Sequence, residues 1–249
     1  MSHARLLAPV IDLVRSAGAA TLPYWRTELA VREKADASPV TAADMAAHAV
    51  LGASWERWWL VDPLDGTKEF ISGSAEFTVN VALIERGQVR FGVVGVPASG
   101  RCYYGGAGLG AWRLDETGAA QPIRVRLAPQ QAFTVVASRR HSSPAQERLL
   151  RGLGERFGDL HLASVGSSLK FCLLAEGQAD CYPRLAPTSQ WDTAAAQGVL
   201  EGAGGAVLDL RGAALRYDAR DSYLNPSFLA LPGAAGWREA LLELARGLD

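Results

Sequence analysis

The stretch Trp58-Trp59-Leu60-Val61-Asp62-Pro63-Leu64-Asp65-Gly66-Thr67 constrains this chain more than any other. Its bulky apolar start reads as a buried strand, and Asp-Pro stops a ladder because proline has no backbone N–H to donate. The chain is therefore expected to turn at Pro63, leaving Asp62 and Asp65 close together at the end of a rigid strand. Two carboxylates held that near each other either share a proton or gather a cation, and an all-oxygen site suits a hard ion such as Mg2+. Gly66 permits close backbone approach, and Thr67 adds a hydroxyl. Asp-Pro and Asp-Gly are also ordinary turn dipeptides, so a plain turn is the alternative.

A chain of 249 residues with 49% hydrophobic content can bury a substantial core as one large domain or two halves. The formal net charge of -1 offers no bulk attraction to nucleic acid or to an anionic membrane, so an anionic ligand must be held by local charges. Cys102, Cys172 and Cys181 are odd in number and form no Cys-x-x-Cys, which argues against a disulfide framework or a zinc knuckle. With no signal-peptide pattern and no apolar run of spanning length, a cytoplasmic location is expected, and a peripheral association with the inner membrane face is compatible with it.

Leu6, Leu7, Val10, Ile11, Val14 and Ala17 recur at helical spacing, predicting an amphipathic helix that ends by Gly18 or at Pro23. A short strand is expected near Leu29 to Val31, then an alanine-rich helix to Leu51 with Thr41 and Asp44 at capping-box spacing. Phe77 to Glu85 alternates, Arg86-Gly87 turns the chain, and Val89 to Val96 returns, which is an antiparallel hairpin. The glycines at 105, 106, 108 and 110 join two further strands; no helix pattern follows them, so a hairpin turn is favoured over a dinucleotide loop. After Pro122, short strands at Thr134 to Ala137, Ala179 to Tyr182 and Ala206 to Leu210 alternate with helices, suggesting an α/β layer. Those helices are expected to start at Ser143-Pro144, at Ser167 or Ser168, and at Asp192, with a final one from Trp237 to Leu248. Two halves result, 1–121 and 122–249.

Ser167 and Lys170 match the Ser-x-x-Lys pattern of serine acyl enzymes, but its partner motifs are absent and a serine helix cap explains the serine equally well. His3, His48, His141 and His161 show no metal-ligand spacing. Asp192, after Trp191, is a candidate third acidic ligand brought in by the fold, with a simple helix cap as its alternative.

Taken together, Pro39-Val40-Thr41-Ala42-Ala43-Asp44, Asp62-Pro63-Leu64-Asp65-Gly66-Thr67 and Trp191-Asp192-Thr193-Ala194-Ala195 resemble the lithium-sensitive, magnesium-dependent phosphatases of the inositol monophosphatase superfamily. Lys68 to Ile71, Glu76 to Asn80 and Gly166 to Cys172 are similar to its branch acting on nucleotide bisphosphates. The resemblance implies an α+β fold, a layered α-β-α-β-α sandwich of the inositol monophosphatase/sugar phosphatase type. It also implies two or three Mg2+ ions held by Asp62, the Leu64 carbonyl, Asp65 and Asp192, with Asp44 and Thr67 positioning and deprotonating the attacking water. His141, Ser167, Lys170 and Arg184 would contact the nucleotide, while Gly66 and Thr67 would offer N–H groups to the reacting phosphate. The implied substrate is adenosine 3',5'-bisphosphate, the by-product of sulfate activation and transfer, hydrolysed by a monomer or weak dimer. An inositol or sugar phosphatase on the same fold is the nearest alternative, and a regulator without turnover is another.

One departure stands out. The family follows the Asp44 helix with a longer loop ending in a hydrophobic-Ser-Glu-Glu strand, whose glutamate is a further metal ligand. Here Leu51 runs directly into Gly52-Ala53-Ser54-Trp55. Either the loop is deleted and metal affinity suffers, or the chain is written without a mobile segment. The second is expected, because a carboxylate cluster stripped of one ligand is costly and purposeless.

Overall fold

Alternation along the strands decides how this chain layers. The computed structural model describes residues 4–25, 32–33, 39–40, 56–137, 143–218 and 222–248. Helix α1 (Ala4–Thr21) is followed by β1 (Arg32–Glu33) and β2 (Pro39–Val40), which pair antiparallel. Strands β3 (Arg57–Asp65), β4 (Thr78–Glu85), β5 (Gln88–Val96), β6 (Arg101–Gly106), β7 (Gly110–Leu114) and β8 (Ala120–Pro122) form one antiparallel sheet in sequence order, with the short helix α2 (Thr67–Ile71) between β3 and β4. The hairpin expected at Arg86-Gly87 is present. Both residues have positive φ, 53° and 73°, as a two-residue turn matched to strand twist requires. The glycines between β6 and β7 likewise make a hairpin turn and no nucleotide loop.

Proline does not stop β3, contrary to the expectation. Asp62 pairs with Asn80 and Asp65 with Thr78, so Pro63 and Leu64 together oppose the single residue Val79. This is a β-bulge on an edge strand, the setting in which a residue without an N–H is tolerated. The Leu64 N–H donates to Oδ1 of Asp62 at 3.0 Å instead of to a neighbouring strand.

The second half supplies β9 (Phe133–Ala137), α3 (Pro144–Phe157), β10 (Leu160–Ser164), α4 (Leu169–Ala175), β11 (Tyr182–Arg184), α5 (Gln190–Gly202), β12 (Gly205–Asp209), β13 (Phe228–Pro232) and α6 (Arg238–Ala245). Strands β10 and β9 pair parallel, a parallel bridge joins Val135 to Cys181 just before β11, and β11, β13 and β12 pair antiparallel. Strand β11 begins at Tyr182, later than expected. Strand β13 was not anticipated: its run Phe-Leu-Ala-Leu-Pro is buried on both faces and so carries no alternation to read.

Side chains on the two faces of each sheet join different cores. Val79, Val81 and Leu83 of β4 pack with Val10 and Val14 of α1, whereas Ala82 and Ile84 pack with Ala194, Ala195 and Val199 of α5. In the second sheet Val136, Phe228 and Ala230 join that same central core, while Val135, Leu229 and Leu231 meet Leu149 and Leu153 of α3 and Leu241 and Leu242 of α6. The layers therefore run α1, sheet, α4 and α5, sheet, α3 and α6, the five-layer α-β-α-β-α sandwich.

The central helix lies unusually close to the first sheet. A Cβ on Gly92 of β5 would fall 1.8 Å from the Ala195 carbonyl oxygen, and one on Gly198 would fall 2.6 Å from the Gly92 nitrogen. Backbone meets backbone here, so neither position has room for a methyl group. Gly92→Ala is expected to cost about 1–3 kcal/mol by overpacking and to lower the melting temperature by roughly 2–12 °C in a circular-dichroism melt.

Candidate metal and phosphate site

Each of three aspartates reaches the site from a different local device. The β3 bulge turns Asp62 and Asp65 toward one another. Asp192 comes from the first turn of α5, where Ser189 is the N-cap and Asp192 is the third helical residue rather than the helix start. Its Oδ2 accepts the Ser189 N–H at 2.8 Å, closing a capping box. Oxygens of Asp62, Asp65 and Asp192 lie within 4.8 Å of one another, and among the described residues no other group of three potential metal ligands converges in this way.

Such a cluster is electrostatically unfavourable by itself. Burial pushes the Asp65 carboxyl up from its ordinary value, with Lys170 opposing, and pushes Asp192 up to about 7, with the Asp65 charge adding to the shift. Asp62 is only 8% exposed. A hard divalent cation would remove this repulsion, and three carboxylates with a nearby backbone carbonyl are the all-oxygen donor set that such an ion takes. The Leu64 carbonyl already accepts the Thr67 hydroxyl at 3.3 Å. Gly66, at φ 86°, opens α2; a Cβ there would press on the Glu76 carbonyl at 3.1 Å and on Ser167 at 3.2 Å.

Ser167, Lys170 and Arg184 line the same cleft as Asp65, Gly66 and Asp192, around a cavity of about 150 Å3. Lys170 is 7% exposed, so it is not the solvated surface charge that a lone lysine usually is. Burial lowers its pKa from the usual lysine value, and Asp65 opposes that shift. Its Nζ donates to the Ser167 carbonyl at 3.0 Å and lies 5.8 Å from the Tyr182 ring centre. The ammonium is thus directed at the Ser167 backbone and not at its hydroxyl, which does not suit a serine acyl enzyme. Arg184 donates to the carbonyls of Ala186 and Pro187, both at 3.0 Å. Asp44 and His141, and with them the Thr41 capping box, lie outside the described residues.

Four residues beside the site lie within motifs noted in the sequence but were assigned no site role there. Thr78, Asn80 and Ser168 surround Asp65, and Glu76 accepts the Gly166 N–H at 2.9 Å. Ser168 does not cap α4 with its side chain. Its hydroxyl donates to Asn80 Oδ1 at 2.9 Å and meets the Thr78 hydroxyl at 2.9 Å. The available signal was that Thr78 and Asn80 are polar residues on the strand face whose next members, Ala82 and Ile84, are core.

With this geometry in place, comparison with known proteins gives the class. A family model described as the inositol monophosphatase family matches residues 49–246, and the chain belongs to that family. Among curated proteins, it is 43% identical to the 3'(2'),5'-bisphosphate nucleotidase CysQ of Salmonella typhimurium and to that of Escherichia coli K12, over 90% of this chain and 98% of each relative. It is 35% identical to the Buchnera aphidicola protein of the same name, over 91% of this chain and 93% of the relative. Among solved structures, CysQ from Bacteroides thetaiotaomicron superposes with a TM-score of 0.77 at 33% identity, covering 90% of this chain and 95% of that one. The IMPase of Thermotoga maritima gives the same TM-score at 22% identity, which speaks for the fold alone.

These matches also bear on Leu51-Gly52. The Salmonella alignment runs over 249 positions yet takes in 90% of this 249-residue chain, so about a tenth of the aligned positions have no residue here. In the sequence Leu51 is followed directly by Gly52. The junction itself lies outside the described residues.

Asp192→Asn retains an acceptor for the Ser189 N–H while removing a charge from the cluster. The metal-free variant is expected to melt about 2–4 °C higher than the parent, the shift produced by ~1 kcal/mol in a chain of this size. Added Mg2+ should then give no further stabilisation in calorimetry, and phosphatase activity should fall by orders of magnitude.

Proposed function

We propose that this chain is a Mg2+-dependent phosphatase that removes the 3'-phosphate of adenosine 3',5'-bisphosphate, releasing AMP and phosphate. The observation that carries the reading is the shared cleft: of the three converging carboxylates, Asp65 and Asp192 line one cavity together with the buried Lys170. The similarity to the CysQ nucleotidases supports the substrate. When bound, Mg2+ would lower the pKa of the attacking water and neutralise charge on the phosphate and leaving oxygens.

The remaining work belongs to the chain. Asp62, the Leu64 carbonyl, Asp65 and Asp192 hold the ions. Thr67, tethered to the Leu64 carbonyl, and Asp44 orient the water and take its proton. Backbone N–H groups of Gly66 and Thr67 cradle the reacting phosphate. Ser167, Lys170, Arg184 and His141 bind the phosphate that does not react, and its binding energy orients the end that does. Lithium inhibits the reaction. The setting is the cytoplasm, consistent with three buried cysteines that form no disulfide. Among the described residues no helix is long and apolar enough to cross a membrane.

A charge-assisted hydrogen bond to phosphate contributes about 1.5–3 kcal/mol, so Lys170→Ala should lower kcat/KM for the bisphosphate by roughly ten- to a hundredfold. Turnover of inositol 1-phosphate should hardly change. Equal losses on both substrates would mean that Lys170 acts through Asp65 and does not read the second phosphate.

A second reading, a metal- and nucleotide-binding regulator without turnover, is favoured by the residues missing at Leu51-Gly52. Release of inorganic phosphate at saturating Mg2+ decides between the two. On the enzymatic reading, the lost glutamate should raise the Mg2+ needed for half-maximal activity about tenfold or more over the Salmonella relative assayed alongside. Equal Mg2+ requirements would show that the missing segment supplies no ligand.

A further inference from the structure

The donors around Asp65 are distributed unevenly between its two oxygens. Three converge on Oδ2: the Ser168 N–H at 2.6 Å, the Thr78 hydroxyl at 3.3 Å and the Asn80 amide at 3.4 Å. The three donor residues also bind one another. The Ser168 hydroxyl donates to Asn80 Oδ1, which orients the Asn80 amide so that its NH2 faces Asp65, and the single Thr78 hydroxyl proton is within reach of both Asp65 Oδ2 and the Ser168 oxygen. Thr78, Asn80 and Ser168 are 0%, 1% and 2% exposed, so no water competes for these bonds.

We propose that Thr78, Asn80 and Ser168 form a positioning clasp that commits Oδ2 of Asp65 to the protein and presents the other oxygen to a cation. A carboxylate free to rotate would lose entropy on binding a metal and could offer either oxygen; one whose back oxygen is saturated is set in advance. The clasp rests on the metal reading given above and goes beyond it, because none of its three members is itself a ligand.

Its parts come from both halves of the chain. Thr78 lies opposite Asp65 and Asn80 opposite Asp62 on β4, so the bulge that brings the two aspartates together also sets them against these two side chains. Ser168 arrives from the segment before α4. There Ser167 holds a left-handed φ of 46°, and the Gly166 N–H is fixed by Glu76. Such a conformation is unfavourable for a non-glycine residue and persists only where surrounding contacts impose it. Here it directs the Ser168 N–H at the carboxylate and leaves Ser167 lining the cleft. The metal side and the side carrying Lys170 are thereby fixed to one another through a single backbone segment.

Titration calorimetry with Mn2+ on the metal-free protein tests this without relying on turnover. Ser168→Ala keeps the backbone donor but breaks the ring of side chains, and Thr78→Val keeps shape but removes the hydroxyl. Both are expected to weaken Mn2+ binding about 10- to 100-fold and to raise the Mg2+ needed for half-maximal phosphate release by the same factor, with a smaller loss of kcat at saturating metal. Thr78→Ser, which restores the hydroxyl, should recover most of the affinity lost in Thr78→Val. Ser168→Ala and Thr78→Val variants that bind Mn2+ as tightly as the parent would overturn the clasp and leave the metal reading standing. A parent protein that binds no Mn2+ would overturn both.

Discussion

The approach of α5 to the first sheet is the contact on which the site depends. Where Gly92 meets Ala195 and Gly198, main chain lies against main chain, closer than any side chain would allow. Dispersion and apolar burial around Ala194, Ala195 and Val199 hold the helix down, and the glycines remove what would otherwise hold it off. Because Asp192 sits in the first turn of that helix, this packing sets how far it stands from Asp62 and Asp65.

Each aspartate of the cluster spends one oxygen on the protein. Asp62 accepts the Leu64 N–H, Asp65 accepts Ser168, Thr78 and Asn80, and Asp192 accepts the Ser189 N–H. Three unrelated local devices, a bulge, a polar clasp and a capping box, thus reach one outcome: a carboxylate held by the protein at the cluster. The like-charge cost is partly offset by Lys170, whose charge faces Asp65 from across the cleft. In the proposed reaction the same ammonium meets the substrate's second phosphate, so one buried cation would serve the resting site and the bound substrate in turn.

Membership of the inositol monophosphatase family coexists with a shortened chain. The match extends over nearly all of the CysQ relatives, yet about a tenth of the aligned positions are absent here. The aspartate devices are all present in the described residues.

Much of this was legible from the sequence, for identifiable reasons. Alternation from Phe77 and the Arg86-Gly87 turn revealed β4 and β5, a serine before a proline revealed the start of α3, and repeated Asp motifs revealed the cluster, because each is a short-range pattern with a local physical cause. The bulge at Pro63 was misjudged as a strand end, since proline's missing N–H is equally compatible with either, and only the partner strand decides. Strand β13, apolar on both faces, had no periodicity to betray it. Ser168 read as a helix cap and is instead part of the Asp65 clasp, because its partners Thr78 and Asn80 are some ninety residues away in sequence. The sequence by itself determined which groups carry charge and where the strands and helices with a local pattern form. Only the tertiary structure decided which oxygens face one another, because that depends on how closely two backbones pack.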